Sequence, residues 1–280
     1  MGRAARVSKV RDQVDLWERN RGHIYCNKGA WVIGRGIFNH GYSMLDDLVG
    51  KASFFQILVL NVTGRLPEER LAKWLEGTFI CLSWPDPRVW CNQIAALGGD
   101  SRATPVASVA AACLASDSKL YGPGTVASTV KFFKTAMLAL GRGKSVVEFI
   151  EDEAKLKGRL LVPGFARPIA TGDERVAAMQ AYADELGFED GAYLKMANEI
   201  EAYLGSHYGE SLNFSGYMCA FLLDQGFRAI EGYRICSLCV NAGALACYSE
   251  YGDKTAGSFL PLRCEDIEYI GVQEREVPCV

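Results

Sequence analysis

The stretch Ser53–Pro85, SFFQILVLNVTGRLPEERLAKWLEGTFICLSWP, decides the fold class. Within it Leu71, Trp74, Leu75, Thr78, Phe79 and Leu82 recur at three- and four-residue intervals, which puts them on one stripe of a helix. Pro67 suits the first turn, where a missing amide proton costs nothing, and Pro85 stops the run. The preceding segment Ser53–Val62 is a second helix, closed at Gly64 by a residue free to turn left-handed.

Outward from this pair the helical spacing persists. Val126, Val130, Phe133, Met137 and Leu140 form another stripe that ends at Gly141-Arg-Gly143. Two capping boxes, Ser145-Val-Val-Glu148 and Thr171-Gly-Asp-Glu174, each open an apolar-periodic run. Tyr193, Ala197, Ile200 and Leu204 predict one more helix, closed by Gly205. The segments after Ser215 and Glu231 are apolar on most sides, as in central helices. Only Ile24–Tyr42 and Leu160-Leu-Val162 read as strands. The chain is therefore expected to be all-α. No repeat or Pro/Ser-rich linker interrupts it, so a second domain is inserted in the helical body. The glycine turn Tyr121-Gly-Pro-Gly124 and the loop Pro163-Gly-Phe-Ala-Arg-Pro168 are the breaks expected to line a cleft.

Composition narrows the function. The 280 residues are 49% apolar and 22% charged, enough for a sizeable core. The net charge of -3 argues against a nucleic-acid binder, which needs a basic surface. No apolar run is long enough for a membrane span, and the charged N-terminus has no apolar stretch after it, so it is read as carrying no secretory signal. The expectation is a cytoplasmic protein. Of the ten cysteines, Cys236-Ser-Leu-Cys239 has the spacing of half a zinc site. With no second such pair, and with His23, His40 and His207 all out of ligand spacing, it is read as part of a buried helix and no metal is expected. Gly34-Arg-Gly36 and Gly141-Arg-Gly143 lack the remainder of a nucleotide fingerprint.

The order of landmarks carries a resemblance. His40-Gly-Tyr-Ser43, Leu48-Val-Gly50, Ala52-Ser-Phe54 and Leu58-Val-Leu-Asn-Val-Thr-Gly-Arg-Leu-Pro67 come first. Gly122-Pro-Gly124, Gly164-Phe-Ala-Arg167, Asp173-Glu-Arg175, Leu212-Asn-Phe-Ser-Gly216 and Cys264-Glu-Asp-Ile-Glu-Tyr-Ile-Gly271 follow. From Gly34 to Gly271 this resembles the citrate synthase superfamily. The length and the terminal Asp-Ile-x-Tyr look more like its citryl-CoA lyase branch, including the lyase module of ATP-citrate lyase. The resemblance implies a homodimer, able to assemble further. It also implies a large helical domain (1–127 and 221–280) and a small one (128–220) that closes over a coenzyme A thioester. The implied reaction joins acetyl-CoA to a 2-oxo acid or splits citryl-CoA, with no tightly bound cofactor.

The residues the family uses are replaced. Thr125 stands where the resemblance implies the histidine that steadies the enol, and Ala166 where it implies a second histidine. Asn213-Phe-Ser215 matches the motif that ends in the carboxylate base, and Val240-Asn-Ala-Gly243 matches a carboxylate-gripping Arg-x-x-Gly. Arg175 survives nine residues after Ala166, and Arg167 survives beside it. Removing a proton next to a thioester needs a base in reach and a donor at the developing oxyanion. Thr125 can donate, Ser215 needs a partner to take its proton, and Ala166 offers nothing. The inherited mechanism is therefore unavailable.

Two readings remain. One is a repurposed lyase or acyltransferase that makes or breaks a carbon–carbon bond on an acyl substrate, with Thr125, Ser215, His207 and His40 as candidate catalytic groups. Arg167, Arg175, Ala166 and Asn213 are its substrate-binding candidates. Beside these roles, His207 also fits a solvated loop, His40 a structural turn and Asp86 a Pro-Asp-Pro turn. Arg167 and Arg175 at a helix start suit an anion, and equally suit pairing with Asp173 and Glu174. The other reading is a non-catalytic paralogue that binds a coenzyme A-like ligand or a protein partner.

Overall fold

The computed structural model describes residues 3–157, 162–165, 167 and 172–278. Ala166, Thr171, Leu160, Leu161 and Cys279 lie outside the described residues, so the expectations placed on them stay with the sequence. Two compact units divide the chain, Met1–Glu76 and Gly77–Val280.

The first unit begins with α1 (Arg3–Asn20), a helix with no counterpart in the apolar spacing. A small antiparallel sheet follows, β1 (Gly29–Val32), β2 (Gly36–Asn39) and β3 (Tyr42–Ser43), with Gly29 opposite Asn39 and Phe38 opposite Ser43. This is the strand region expected between Ile24 and Tyr42. A short π-helical turn over Met44–Leu48 leads to α2 (Phe54–Thr63). Ser53 and Gln56 cap α2 reciprocally, and Gly64 closes it at φ 80°. The stripe of α3 (Glu69–Leu82) is buried at Trp74, Leu75 and Thr78, as its spacing requires.

The larger unit holds α4 (Trp90–Asp100), α5 (Pro105–Ser116), α6 (Gly124–Leu140), α7 (Val146–Lys157), α8 (Glu174–Glu185), α9 (Ala192–Tyr208), α10 (Phe214–Asp224), α11 (Ala229–Cys236) and α12 (Asn241–Asp253). Helix α10 is buried nearly all round, from Phe214 through Leu223 with only Ser215 half-buried, which is what its all-round apolar sequence demands. α4, α5 and α12 pack together as a separate trio. The chain is all-α apart from the small sheet, as expected.

Three local expectations need correction. Helix α9 does not end at Gly205; it runs one turn further, because Gly209 is the residue at φ 70°, and its N–H closes on the Leu204 carbonyl. His207 therefore sits in the last helical turn and not in a loop. The cap of α8 is Asp173, whose side chain accepts from the Arg175 N–H. The Cys236–Cys239 stretch is not one helix, since α11 stops at Cys236 and a turn follows. Both thiols are buried, yet Leu238 and Leu245 are half exposed. No group of three or more metal-ligating side chains occurs among the described residues.

Candidate active site

The site grows from three helix starts. Gly122 turns the chain at φ 66°, and Gly124 packs so close to Ser118 that an added Cβ would lie 2.2 Å from its carbonyl oxygen. That turn places Thr125 in the first turn of α6, with its hydroxyl donating to the Gly122 carbonyl at 2.8 Å. Across the gap, Asn213 caps α10 by accepting the Gly216 N–H at 3.0 Å, and its own N–H donates to the Gly164 carbonyl at 3.0 Å. Gly164 and Gly216 touch through their backbones, since a Cβ on Gly216 would meet the Gly164 oxygen at 2.1 Å. The loop and the helix start are thereby locked together.

This packing brings Thr125 Oγ1 and Ser215 Oγ to 2.9 Å, although ninety residues separate them. With the Thr125 proton on Gly122, Ser215 is the donor of that pair. Ser215 also hydrogen-bonds Cys219, whose thiol burial pushes up to about 12 despite that bond.

The third helix start is that of α8. Asp173 is buried, and its carboxylate accepts from Arg175 Nε at 2.8 Å, Arg175 Nη2 at 2.7 Å and the Phe214 N–H of α10 at 2.9 Å. Burial raises the Asp173 pKa, but the Arg175 guanidinium, the Phe214 N–H and the nearby Arg167 outweigh it and hold the carboxyl below its usual range. The Arg175 guanidinium lies 5.0 Å from the centre of the Phe214 ring, and its Nη1 reaches the Cys81 carbonyl at 3.4 Å. Arg167 pairs with Glu174 at 2.6 Å and stands 3.9 Å from Asp173. Both surviving arginines thus face acidic neighbours. Tyr121, beside the Gly122 turn, packs edge-on against Trp90 with ring centres 5.2 Å apart.

The remaining candidates have contacts of their own. His207 is exposed and bonds Ser206 at 2.8 Å and the Tyr203 carbonyl at 3.0 Å within its own helix. His40 belongs to the first unit, at φ 47°, with Nδ1 at 2.7 Å from Asn39 Oδ1. Asp86 is a turn residue whose carboxylate accepts from the Arg88 guanidinium at 2.6 Å. Asp173 is the member that the family motifs did not single out as functional. The signal was present, because Asp before Glu-Arg at a helix start is a strong cap.

A recess of about 730 Å³ beside α8 and α9 is lined by Asp173, Gln180, Asp184, Asp190 and Glu201 and not by Thr125 or Ser215. Its carboxylates repel a phosphate-bearing ligand. No helix among the described residues is long and apolar enough to cross a membrane.

No protein-family model and no curated protein matches the sequence. Solved structures do match in fold. Citryl-CoA lyase from Hydrogenobacter thermophilus superposes with a TM-score of 0.77 at 23% identity, over 91% of this chain and 97% of that one. ATP citrate lyase from Methanothrix soehngenii, solved with citrate and coenzyme A, gives 0.75 at 20% identity over 97% of this chain. This chain spans 45% of that protein's length. Citrate synthase from Thermotoga maritima gives 0.63 at 19% identity, over 81% of this chain and 60% of that one. The chain has the fold of citryl-CoA lyase and the citrate synthases.

Proposed function

We propose that this chain binds a coenzyme A thioester or related acyl substrate at the α6/α8/α10 junction and makes or breaks the carbon–carbon bond beside its carbonyl. The observation that carries this reading is the 2.9 Å pair of Thr125 and Ser215 where the first turns of two helices meet. Helix N-termini carry partial positive charge, so a junction of α6, α8 and α10 favours negative charge. Bond cleavage or formation next to a thioester puts negative charge on the carbonyl oxygen. Ser215 turns its proton from Thr125 to that oxygen, and Thr125 stays anchored on Gly122. Such a preorganised donor lowers the barrier because it need not reorient from water. The base is not the inherited one. His40 and His207 are carried forward as candidates for it, with Asn213, Arg167, Arg175 and position 166 as groups around the substrate.

The same reading places a small domain at 128–220 that closes on a large one made of 1–127 and 221–280, in a cytoplasmic homodimer. Support for self-association comes from α5, which has no charged residue and leaves Val106 80% and Leu114 78% exposed. A solvated helix face of that composition suits contact with a second copy of the chain.

One observation favours the non-catalytic alternative. The polar groups of the site satisfy each other: Ser215 on Thr125, Thr125 on Gly122, Arg175 on Asp173 and Arg167 on Glu174. The test begins with calorimetric binding of coenzyme A and acetyl-CoA. Turnover assays of acetyl-CoA with a panel of 2-oxo acids, and of citryl-CoA alone, follow. Binding plus turnover that drops about 100-fold in Ser215→Ala supports the enzyme. Binding without turnover supports the paralogue, and no binding defeats the thioester reading.

A further inference from the structure

We propose that Cys26 and the recess beside it form a site for thiol–disulfide exchange with a small anionic disulfide. The site lies wholly in the first unit and does not rest on the reading of the α6/α8/α10 junction. Cys26 is exposed and precedes β1, and its thiol donates to the Gly29 carbonyl at 3.2 Å. Backbone hydrogen bonds from Gly29 and Lys28, and then the Lys28 charge, hold its pKa below the ordinary thiol value. Burial pushes the thiols of the second unit the other way, from Cys81 through Cys247. The thiolate is the nucleophile, so exchange chemistry concentrates at Cys26.

A recess of about 340 Å³ opens beside the thiol, and Asn27, Lys28, His40 and Gly64 help to line it. Its wall holds an ammonium group and no carboxylate, which suits an anion. His40 supplies the second signal. The Asn39 amide nitrogen donates to Asn61 Oδ1 at 2.8 Å, so Asn39 Oδ1 is the acceptor that faces His40 Nδ1 at 2.7 Å, and Nδ1 carries the ring proton. Nε2 is left as a bare acceptor, buried without a partner on the ring edge that faces Gly64. Such an atom costs free energy until a donor meets it. His40 also holds φ 47° in the turn before Gly41, a conformation that favours Asn or Gly. The ligand that fits this wall carries negative charge for Lys28 and an N–H for Nε2, as a small peptide-like disulfide does. In the exchange the Cys26 thiolate attacks one sulfur and a new S–S bond forms. The old S–S bond breaks, and the other half leaves as a thiolate that takes a proton from water.

The probe is oxidised glutathione, whose halves each carry carboxylates and amide N–H groups. Methyl methanethiosulfonate, which is small, uncharged and without an N–H, measures thiolate reactivity alone. The full chain is treated with each reagent, and mass spectrometry of its peptides gives the rate at every cysteine. With oxidised glutathione, Cys26 should outpace Cys264, the other exposed cysteine among the described residues, on the order of tenfold, and by less with the methyl reagent. Lys28→Gln and His40→Asn should each slow oxidised glutathione at Cys26 about fivefold, the scale of one net polar contact, and leave the methyl reagent within about twofold. Asn is chosen at position 40 because it tolerates the same turn. Equal preference for Cys26 with both reagents describes an exposed thiol with no ligand site beside it, and overturns the proposal. So does an oxidised glutathione rate that either folded variant leaves unchanged; Lys28→Gln decides alone where His40→Asn does not fold.

Discussion

Each end of α10 meets an aspartate at the start of another helix, buried at the N-terminal end and half-buried at the C-terminal end, and the two behave in opposite ways. At the N-terminal end, Asp173 accepts the Phe214 N–H and faces the Arg175 guanidinium, and its pKa is lowered. At the C-terminal end, Asp224 accepts the Tyr193 and Leu194 N–H groups of α9, both at 2.9 Å, and its pKa is raised. Burial is the first cause at both. The two backbone bonds at Asp224 do not repay it, whereas a guanidinium in bidentate reach at Asp173 does. Neutral donors cap a helix; a buried permanent anion needs a cation. The end with the cation is also the end with the paired hydroxyls.

The strongest way to break this contrast is Asp173→Ala, which strands Arg175 and the Phe214 N–H. A loss of about 3 kcal/mol in urea unfolding is expected, the scale for removing one partner of a buried pair. Asp224→Ala removes only a cap, and about 1–2 kcal/mol should go. Gly191 sharpens that end, because a Cβ there would lie 2.2 Å from the Asp224 carboxyl carbon, so Gly191→Ala should destabilise as Asp224→Ala does.

Acid titration of stability separates the two ends by sign. A lowered folded pKa means that the Asp173 contribution is present above the unfolded carboxylate range, near 3.9, and is lost as pH falls through the folded value. A raised one means that the Asp224 contribution is present below that range and is lost as pH rises through the folded value. Asp173→Asn should therefore flatten the acid limb of the unfolding curve, and Asp224→Asn should remove a small decline just above it. The smallest effect is expected from Arg167→Gln, because Glu174 is 75% exposed and the pair is screened; its melting temperature should hardly move.

Much of this was legible in the residues alone. The spacing of Leu71 to Leu82, the Gly64 stop and the Ser145–Glu148 box are local signals, and the elements form where they indicate. Thr125 and Ser215 were found through motif order, but their contact was not visible, because it depends on two backbones meeting at Gly164 and Gly216. Gly205 misled as a helix stop, since a glycine inside a helix and one that ends it look alike until φ is known. The apolar stretch around Cys236–Cys239 was read as a buried helix, whereas Leu238 in the turn and Leu245 in α12 stay half exposed: composition does not say which face finds a partner. Asp173 was hidden because its importance lies in contacts from Arg175 and from residue 214, forty-one positions away.

A structure determined with acetyl-CoA bound bears most directly on the central claim. The thioester carbonyl oxygen should lie about 3 Å from Ser215 Oγ, with the Thr125–Ser215 bond opened and Asp173 still on Arg175. A thioester seated away from this junction, or a site that stays empty at saturating ligand with the hydroxyl pair unchanged, would contradict it.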